Sequence, residues 1–163
     1  RKYKYMPTTM SPFEQLAHAI SLASEAHINH FDKGGKPYIL HPIHLMQQLL
    51  FDTELAVIAV LHDVIEDSAG AITFDTLKES GYSNRVCKAL ALLTRNPDQD
   101  YLNDYIEGIC TNFDAIRVKR KDLEHNSNIT RLKGISKDDL ARTEKYHRAF
   151  IRLSEAKLSF SAN

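Results

Sequence analysis

The chain has no tryptophan, two cysteines among 163 residues and no excess of charge of either sign. Cys87 and Cys110 each stand alone in an apolar helical pattern, and no CxxC occurs, so a thiolate zinc site is not expected. They read as buried, reduced thiols of a cytoplasmic protein. Lys+Arg and Asp+Glu balance at 21 each. That argues against non-specific nucleic-acid binding and against a polybasic membrane anchor, and leaves room for a local basic pocket. No apolar run approaches the roughly 18 residues of a membrane span, and the N-terminus lacks a signal peptide's apolar core. Repeats, low-complexity tracts, linkers and convincing β alternation are all missing. What remains is ordinary hydrophobic content, 43%, in a chain long enough for one core. The expected architecture is all-α: residues 1–10 as an N-terminal extension and 11–163 as a single-domain helical bundle.

Local signals place the helices. Ser11-Pro12-Phe13-Glu14 is a capping box with proline in the first turn. It opens a helix to about His27, with Phe13, Leu16, Ala17, Ile20 and Ala23 at helical spacing and His18 on the solvated side. His27 suits a structural role or a pocket role. Residues 31–38 are a loop whose paired glycines, Gly34 and Gly35, suit either phosphate or an ordinary connection. His41-Pro42 heads a second helix with an Ile43, Met46, Leu49 and Leu50 stripe, ending near Phe51. A third spans Leu55 to Ile65. Thr73 starts a short fourth, closed by Gly81, and Ser83 caps a fifth carrying Val86, Ala89, Leu90 and Leu93. A sixth is expected over Asp100–Thr111 and a seventh over Ala115–Lys133. The last is capped by Ser136 and Asp139, with Leu140, Phe150, Ile151 and Leu158 apolar.

One stretch stands out. His62-Asp63-Val64-Ile65-Glu66-Asp67 follows the apolar run Leu55–Leu61, and isolated charges are costly to bury without partners or a metal. At about 100° per residue Glu66 lies one turn after His62, and Asp67 one turn after Asp63. His41 and Asp122 are further candidates from other helices; Val118, Asp122, Asn126 and Ile129 share one face of the seventh. Two histidines and two carboxylates from three helices make a site for one divalent metal, Mn²⁺ or Fe²⁺ by donor type, with Mg²⁺ and Zn²⁺ also open. Such an ion activates water and polarises a phosphoryl oxygen, while Glu66 or Asp67 orients or deprotonates that water. Arg117, Lys119, Arg120 and Lys121 form a solvated helix face, or Lys119 or Lys121 contacts phosphate. Arg142 and Tyr146, one turn apart on the last helix, fit surface packing or a pocket rim equally.

Three of these segments together resemble a known family. Lys33-Gly34-Gly35-Lys36-Pro37-Tyr38-Ile39-Leu40-His41-Pro42, Ala59–Asp67, and Val118-Lys119 leading to Asp122 and Asn126 are similar to the HD-superfamily hydrolase domain of RelA/SpoT homologues. The resemblance runs from about Phe13 to Tyr146, and the chain is similar in size to a stand-alone small alarmone hydrolase. It implies an all-α HD fold and release of pyrophosphate from the 3′ position of guanosine tetra- or pentaphosphate, usually with Mn²⁺. By the same resemblance His41, His62, Asp63 and Asp122 are metal ligands, and Glu66 and Asp67 handle the nucleophilic water. Lys33, Tyr38, Asn126, Arg142 and Tyr146 contact the nucleotide. The chain departs from the pattern at Asp32-Lys33, where the family has Arg-Lys and the arginine stacks on the base. The third motif departs too, reading Lys121-Asp122-Leu123-Glu124-His125-Asn126. Turnover of another nucleotide, a nucleotide-binding HD module without catalysis, and a purely structural helical protein are the competing expectations.

Overall fold

The computed structural model describes residues 9–161. Most of the expected N-terminal extension, residues 1–8, lies outside the described residues. The helices are α1 (Pro12–Ala26), α2 (Leu40–Gln48), α3 (Thr53–Leu61), α4 (Val64–Asp67), α5 (Phe74–Glu79), α6 (Asn84–Leu93), α7 (Glu107–Ile109), α8 (Phe113–Asn126) and α9 (Lys137–Ser161). Among the described residues the extended structure is a single bridge between Phe31 and Pro37. The all-α expectation holds. No described helix is long and apolar enough to cross a membrane.

α3 is the axis of the fold. All of Leu55 to Leu61 is buried, and α1, α2, α6 and α8 surround it. A helix apolar on every side has no stable position except the interior. Each of its Val, Leu and Ile side chains contributes about 1.5–3 kcal/mol by leaving water. α1 approaches closely because its inner face is small: Ala19 and Ala23 are fully buried. Gln15 beside them is satisfied, its Nε2 donating to Met10 O at 3.0 Å and its Oε1 accepting from Ser83 N at 3.1 Å. The predicted capping box forms between Ser11 and Glu14. Of the predicted apolar face, Ala23 is buried and Leu16 and Ile20 pack against the core, whereas Phe13 is 77% exposed and Ala17 lies outside.

Other expectations are corrected in register. The third helix does not run on to Ile65: it stops at Leu61, and His62 and Asp63 form a turn before α4. In the sixth segment Tyr101–Ile106 winds as a π-helix and only Glu107–Ile109 is α-helical. Asp100 caps it by accepting from Leu102 N and Asn103 N, and the Tyr105 hydroxyl, donating to Leu93 O at 2.6 Å, fixes the wider turn. α8 starts at Phe113 behind the Asn112 cap and ends at Asn126 rather than Lys133. Ile129, expected on its inner face, sits in a short 3₁₀ turn and is 45% exposed. On α9 the buried positions are Ala149, Leu153 and Ala156; Leu140, Ile151 and Leu158 face out. α5 and α6 form as predicted behind Thr73 and Ser83, and Gly81 takes the left-handed conformation (φ +92°) that ends the α5 segment.

Candidate functional site

The turn at His62–Asp63 ends the buried axis and opens the site. His62 Nδ1 lies 2.8 Å from Ala59 O, one turn back. That bond places one ring proton on Nδ1 and leaves Nε2 aimed forward. Nε2 lies 2.9 Å from Asp63 Oδ2 and 3.7 Å from Asp122 Oδ1. His41 enters from the first turn of α2, with Nε2 3.0 Å from the same Asp122 oxygen. His41 and His62 are almost wholly buried, and so is Asp122. The predicted donors thus converge from α2, the α3–α4 turn and α8, and one atom each from His41, His62 and Asp122 falls within 4.8 Å of the others.

The donor set fits a divalent cation. His41 Nε2 and His62 Nε2 sit close to carboxylate oxygens but without the alignment of a hydrogen bond, so both are buried and unpaired in that sense. Burial pulls the His62 imidazolium down, yet Asp63 and Asp122 outweigh it and raise its pKa to about 10. The pocket therefore holds positive charge strongly. Burial pushes the half-buried Asp63 carboxyl up, but the facing His62 outweighs this and holds it well below the ordinary carboxylate range.

Several residues support these donors in roles that the sequence did not suggest. His125 Nδ1 is 2.6 Å from His41 Nδ1, with the rings stacked at 4.9 Å. Burial lowers the His125 pKa to about 4, so the ring is neutral and can accept the His41 proton. Lys119, one of the cations left open between surface and phosphate, is largely buried with Nζ 2.7 Å from Asp122 Oδ2. Asn126 Nδ2 donates to Asp122 Oδ1 at 2.6 Å. Tyr38 donates its hydroxyl to Asp63 Oδ2, and burial together with Asp63 keeps the phenol protonated. His125 was detectable in principle, lying three residues after Asp122 on one helix; the Tyr38 bond spans 25 residues and has no local signal.

Glu66 and Asp67 stand on α4 at the open side. Glu66 accepts from the backbone N–H of Arg95, and Asp67 Oδ2 lies 3.5 Å from His27 Nδ1. Protein mass on one side raises both pKa values above those of free carboxylates, with Asp63 adding to the effect. Next to the cluster lies a cavity of about 240 Å³. Lys33, Tyr38, Asn126, Arg142 and Tyr146, drawn from the first loop, α8 and α9, all line it. Lys33 and Arg142 share Asp139, at 3.4 and 2.7 Å. The wall also includes Phe31, Asp32 and Arg131. Asp32 accepts from Arg131 at 3.0 Å, and Arg131 further donates to His125 O at 2.9 Å. A planar guanidinium thus reaches the cavity from the opposite loop. The two loops meet tightly: a Cβ on Gly34 would lie 2.4 Å from Arg131 O.

No family model matches the chain. It is 31% identical over 97 residues to a guanosine-3′,5′-bis(diphosphate) 3′-pyrophosphohydrolase of Aquifex aeolicus, covering 58% of this chain and 14% of that protein. It is 43% identical over 61 residues to the protein of that name from Haemophilus influenzae, 36% of this chain and 9% of that one. A putative chloroplastic GTP diphosphokinase of Arabidopsis thaliana is 35% identical over 78 residues, 46% of this chain and 8% of that protein. The chain thus spans about a seventh or less of the length of these relatives. A solved structure, described as a metazoan ortholog of SpoT that hydrolyzes ppGpp and plays a role in starvation responses, superposes with a TM-score of 0.71. It shares 19% identity, with 95% of each chain covered. The resemblance drawn from the motifs therefore holds: the chain has the all-α HD-type fold of the SpoT hydrolases and is similar to RelA/SpoT-type proteins in sequence over part of its length.

Proposed function

We propose that this chain is a metal-dependent phosphohydrolase that releases pyrophosphate from the 3′ position of guanosine 3′,5′-bis(diphosphate), with Mn²⁺ as its metal. The observation that carries the reading is the junction of a buried His41–His62–Asp122 cluster, with Asp63 beside it, and a cavity lined by cations and two tyrosines. The hydrolase names of the Aquifex and Haemophilus relatives support the substrate. Free thiols at Cys87 and Cys110 agree with a reducing, cytoplasmic setting.

His41, His62, Asp63 and Asp122 would hold the ion. When bound it supplies Lewis-acid polarisation of a phosphoryl oxygen and a more acidic water. The rest belongs to the chain. Ala59 O and His125 fix the two imidazoles so that both present Nε2. Tyr38, Lys119 and Asn126 fix the carboxylates. Glu66 and Asp67, with raised proton affinity, orient water and take its proton as the oxygen attacks phosphorus. Lys33 and Arg142 face the anionic part of the nucleotide, and Arg131 offers a flat guanidinium to the base.

The test is a panel of nucleotides incubated with the protein and Mn²⁺, reading pyrophosphate against orthophosphate. Guanosine 3′,5′-bis(diphosphate) should yield pyrophosphate. Glu66→Gln should keep the metal and lose most turnover, whereas Asp63→Ala should lose both. Wild-type turnover by Glu66→Gln would remove the role given to that carboxylate, and no pyrophosphate from any member of the panel would end the proposal.

A further inference from the structure

Beside the cluster just described lies a second one, joined to it through Asp67. His27 closes α1, His30 follows in the loop, and Asp67 comes from α4. His27 Nδ1 is 3.4 Å from His30 Nδ1 and 3.5 Å from Asp67 Oδ2. One donor atom from each of the three falls within 4.8 Å of the others. Tetrahedral zinc with bonds of about 2.0–2.1 Å sets its ligand atoms about 3.4 Å apart.

Hydrogen bonding does not account for the arrangement. The His27 side chain is fully buried, and its Nε2 has no partner among the described residues. A proton on Nδ1 serves either His30 or Asp67 and leaves an Nε2 lone pair sealed in the core. A proton on Nε2 turns the Nδ1 lone pair toward a carboxylate. Burial, with the neighbouring histidines, lowers the His27 pKa to about 4 against the pull of Asp63, so a second ring proton is not held at neutral pH. A divalent cation facing His27 Nδ1 removes the clash of lone pair and carboxylate, taking lone pairs from two neutral imidazoles and charge from Asp67, with the His27 ring proton on Nε2. His30 and Asp67 are exposed, which gives the ion a path in. The two clusters are separated by one ring: Tyr38 meets His27 edge to face at 4.9 Å and donates to Asp63.

We infer that His27, His30 and Asp67 form a second divalent-cation site, of the tetrahedral type that suits Zn²⁺, separate from the His41–His62–Asp63–Asp122 centre. The assignment stands on geometry; only its bearing on turnover, through Asp67, rests on the proposed function. The experiment counts metal without substrate, so its failure is distinct from a failure of the hydrolase reading. Chelator-stripped protein is equilibrated with excess Zn²⁺, dialysed and assayed for metal. The wild type is expected to retain two ions per chain, and His30→Ala, an exposed loop change, one. With Co²⁺ in place of Zn²⁺, the intense visible absorption of tetrahedral cobalt is expected in the wild type and in Asp122→Asn, and is lost in His30→Ala with the helical circular dichroism unchanged. An ion count that His30→Ala leaves unchanged, or a cobalt spectrum that follows Asp122 rather than His30, overturns the inference.

Discussion

Asp122 and Lys119 set the sharpest quantitative test of how the site is built. Lys119 Nζ lies 2.7 Å from Asp122 Oδ2, with side-chain exposures of 12% and 6%. Asp122→Asn keeps the shape and removes the charge. Lys119 then keeps only weaker support, from the more distant Asp63 and the Tyr105 ring at 5.3 Å. Removing one partner of a buried pair costs about 3–5 kcal/mol. Lys119 can limit the loss by shedding its proton. From an ordinary lysine value to pH 7 that costs about 4.6 kcal/mol, which sets the ceiling. For a chain of this size the melting temperature should fall by roughly 6–20 °C. The measurement is thermal and urea unfolding with chelator present throughout, so that loss of a bound ion does not enter. Lys119→Met combined with Asp122→Asn removes both charges and should recover at least about 2 kcal/mol of the loss. A single-variant loss under about 1 kcal/mol, or no recovery in the double variant, would show that the pair is not the buried ion pair described.

Other tests address the surroundings. His125→Ala removes the partner of His41 Nδ1; Mn²⁺ affinity, by titration, should weaken about 10–100-fold while the fold persists, and unchanged affinity would count against the role. Arg131→Ala should raise KM for the guanosine substrate and leave Mn²⁺ affinity intact, whereas a fall in kcat alone would place Arg131 outside recognition. Arg85 ties Asp52, Glu54 and Asp114 together at 2.6, 3.4 and 2.7 Å. Being 37% exposed, it should cost only about 1–2 kcal/mol when replaced by Met. Its hydrogen bond lowers the Asp52 pKa from the ordinary 3.8. That contribution is present above the unfolded value and lost as pH falls through the folded one. Wild type and Arg85→Met should therefore differ most near neutrality and converge in acid; a gap that widened in acid would contradict the sign.

What could be read from the sequence divides by range. The caps at Ser11, Thr73 and Ser83 depend on residues three apart, and all form as expected. His62, Asp63 and Asp122 were visible because charge beside Val, Leu and Ile is conspicuous in one dimension. Helix faces were harder. In α1 the inner side is lined by Ala19, Ala23 and Gln15, so counting large apolar residues selected Phe13, which faces water. In α9 the same bias selected Leu140 and Leu158 over Ala149 and Ala156. Tight helix approach rewards small side chains, and hydrophobicity alone does not register that. Arg131 escaped because its partners, Asp32 and His125 O, meet it only after the loops dock.

The turn at His62–Asp63 shows why fold and chemistry are inseparable here. Had the third helix continued unbroken through Asp67, its all-round burial would have carried four polar groups into the same interior as Leu55–Leu61. Leaving the helix at Leu61 lets the chain change direction once, and the two consequences differ by one turn. His62 and Asp63 stay against α2 and α8, where Ala59 O, Tyr38 and Asp122 meet their polar atoms. Glu66 and Asp67 move to the open side, where water reaches them and the protein behind them raises their proton affinity. A substitution that stabilises an unbroken helix across this turn should therefore impair metal binding without touching a ligand. The apolar axis does more than support the site, because where it ends decides which carboxylates are buried and which meet water.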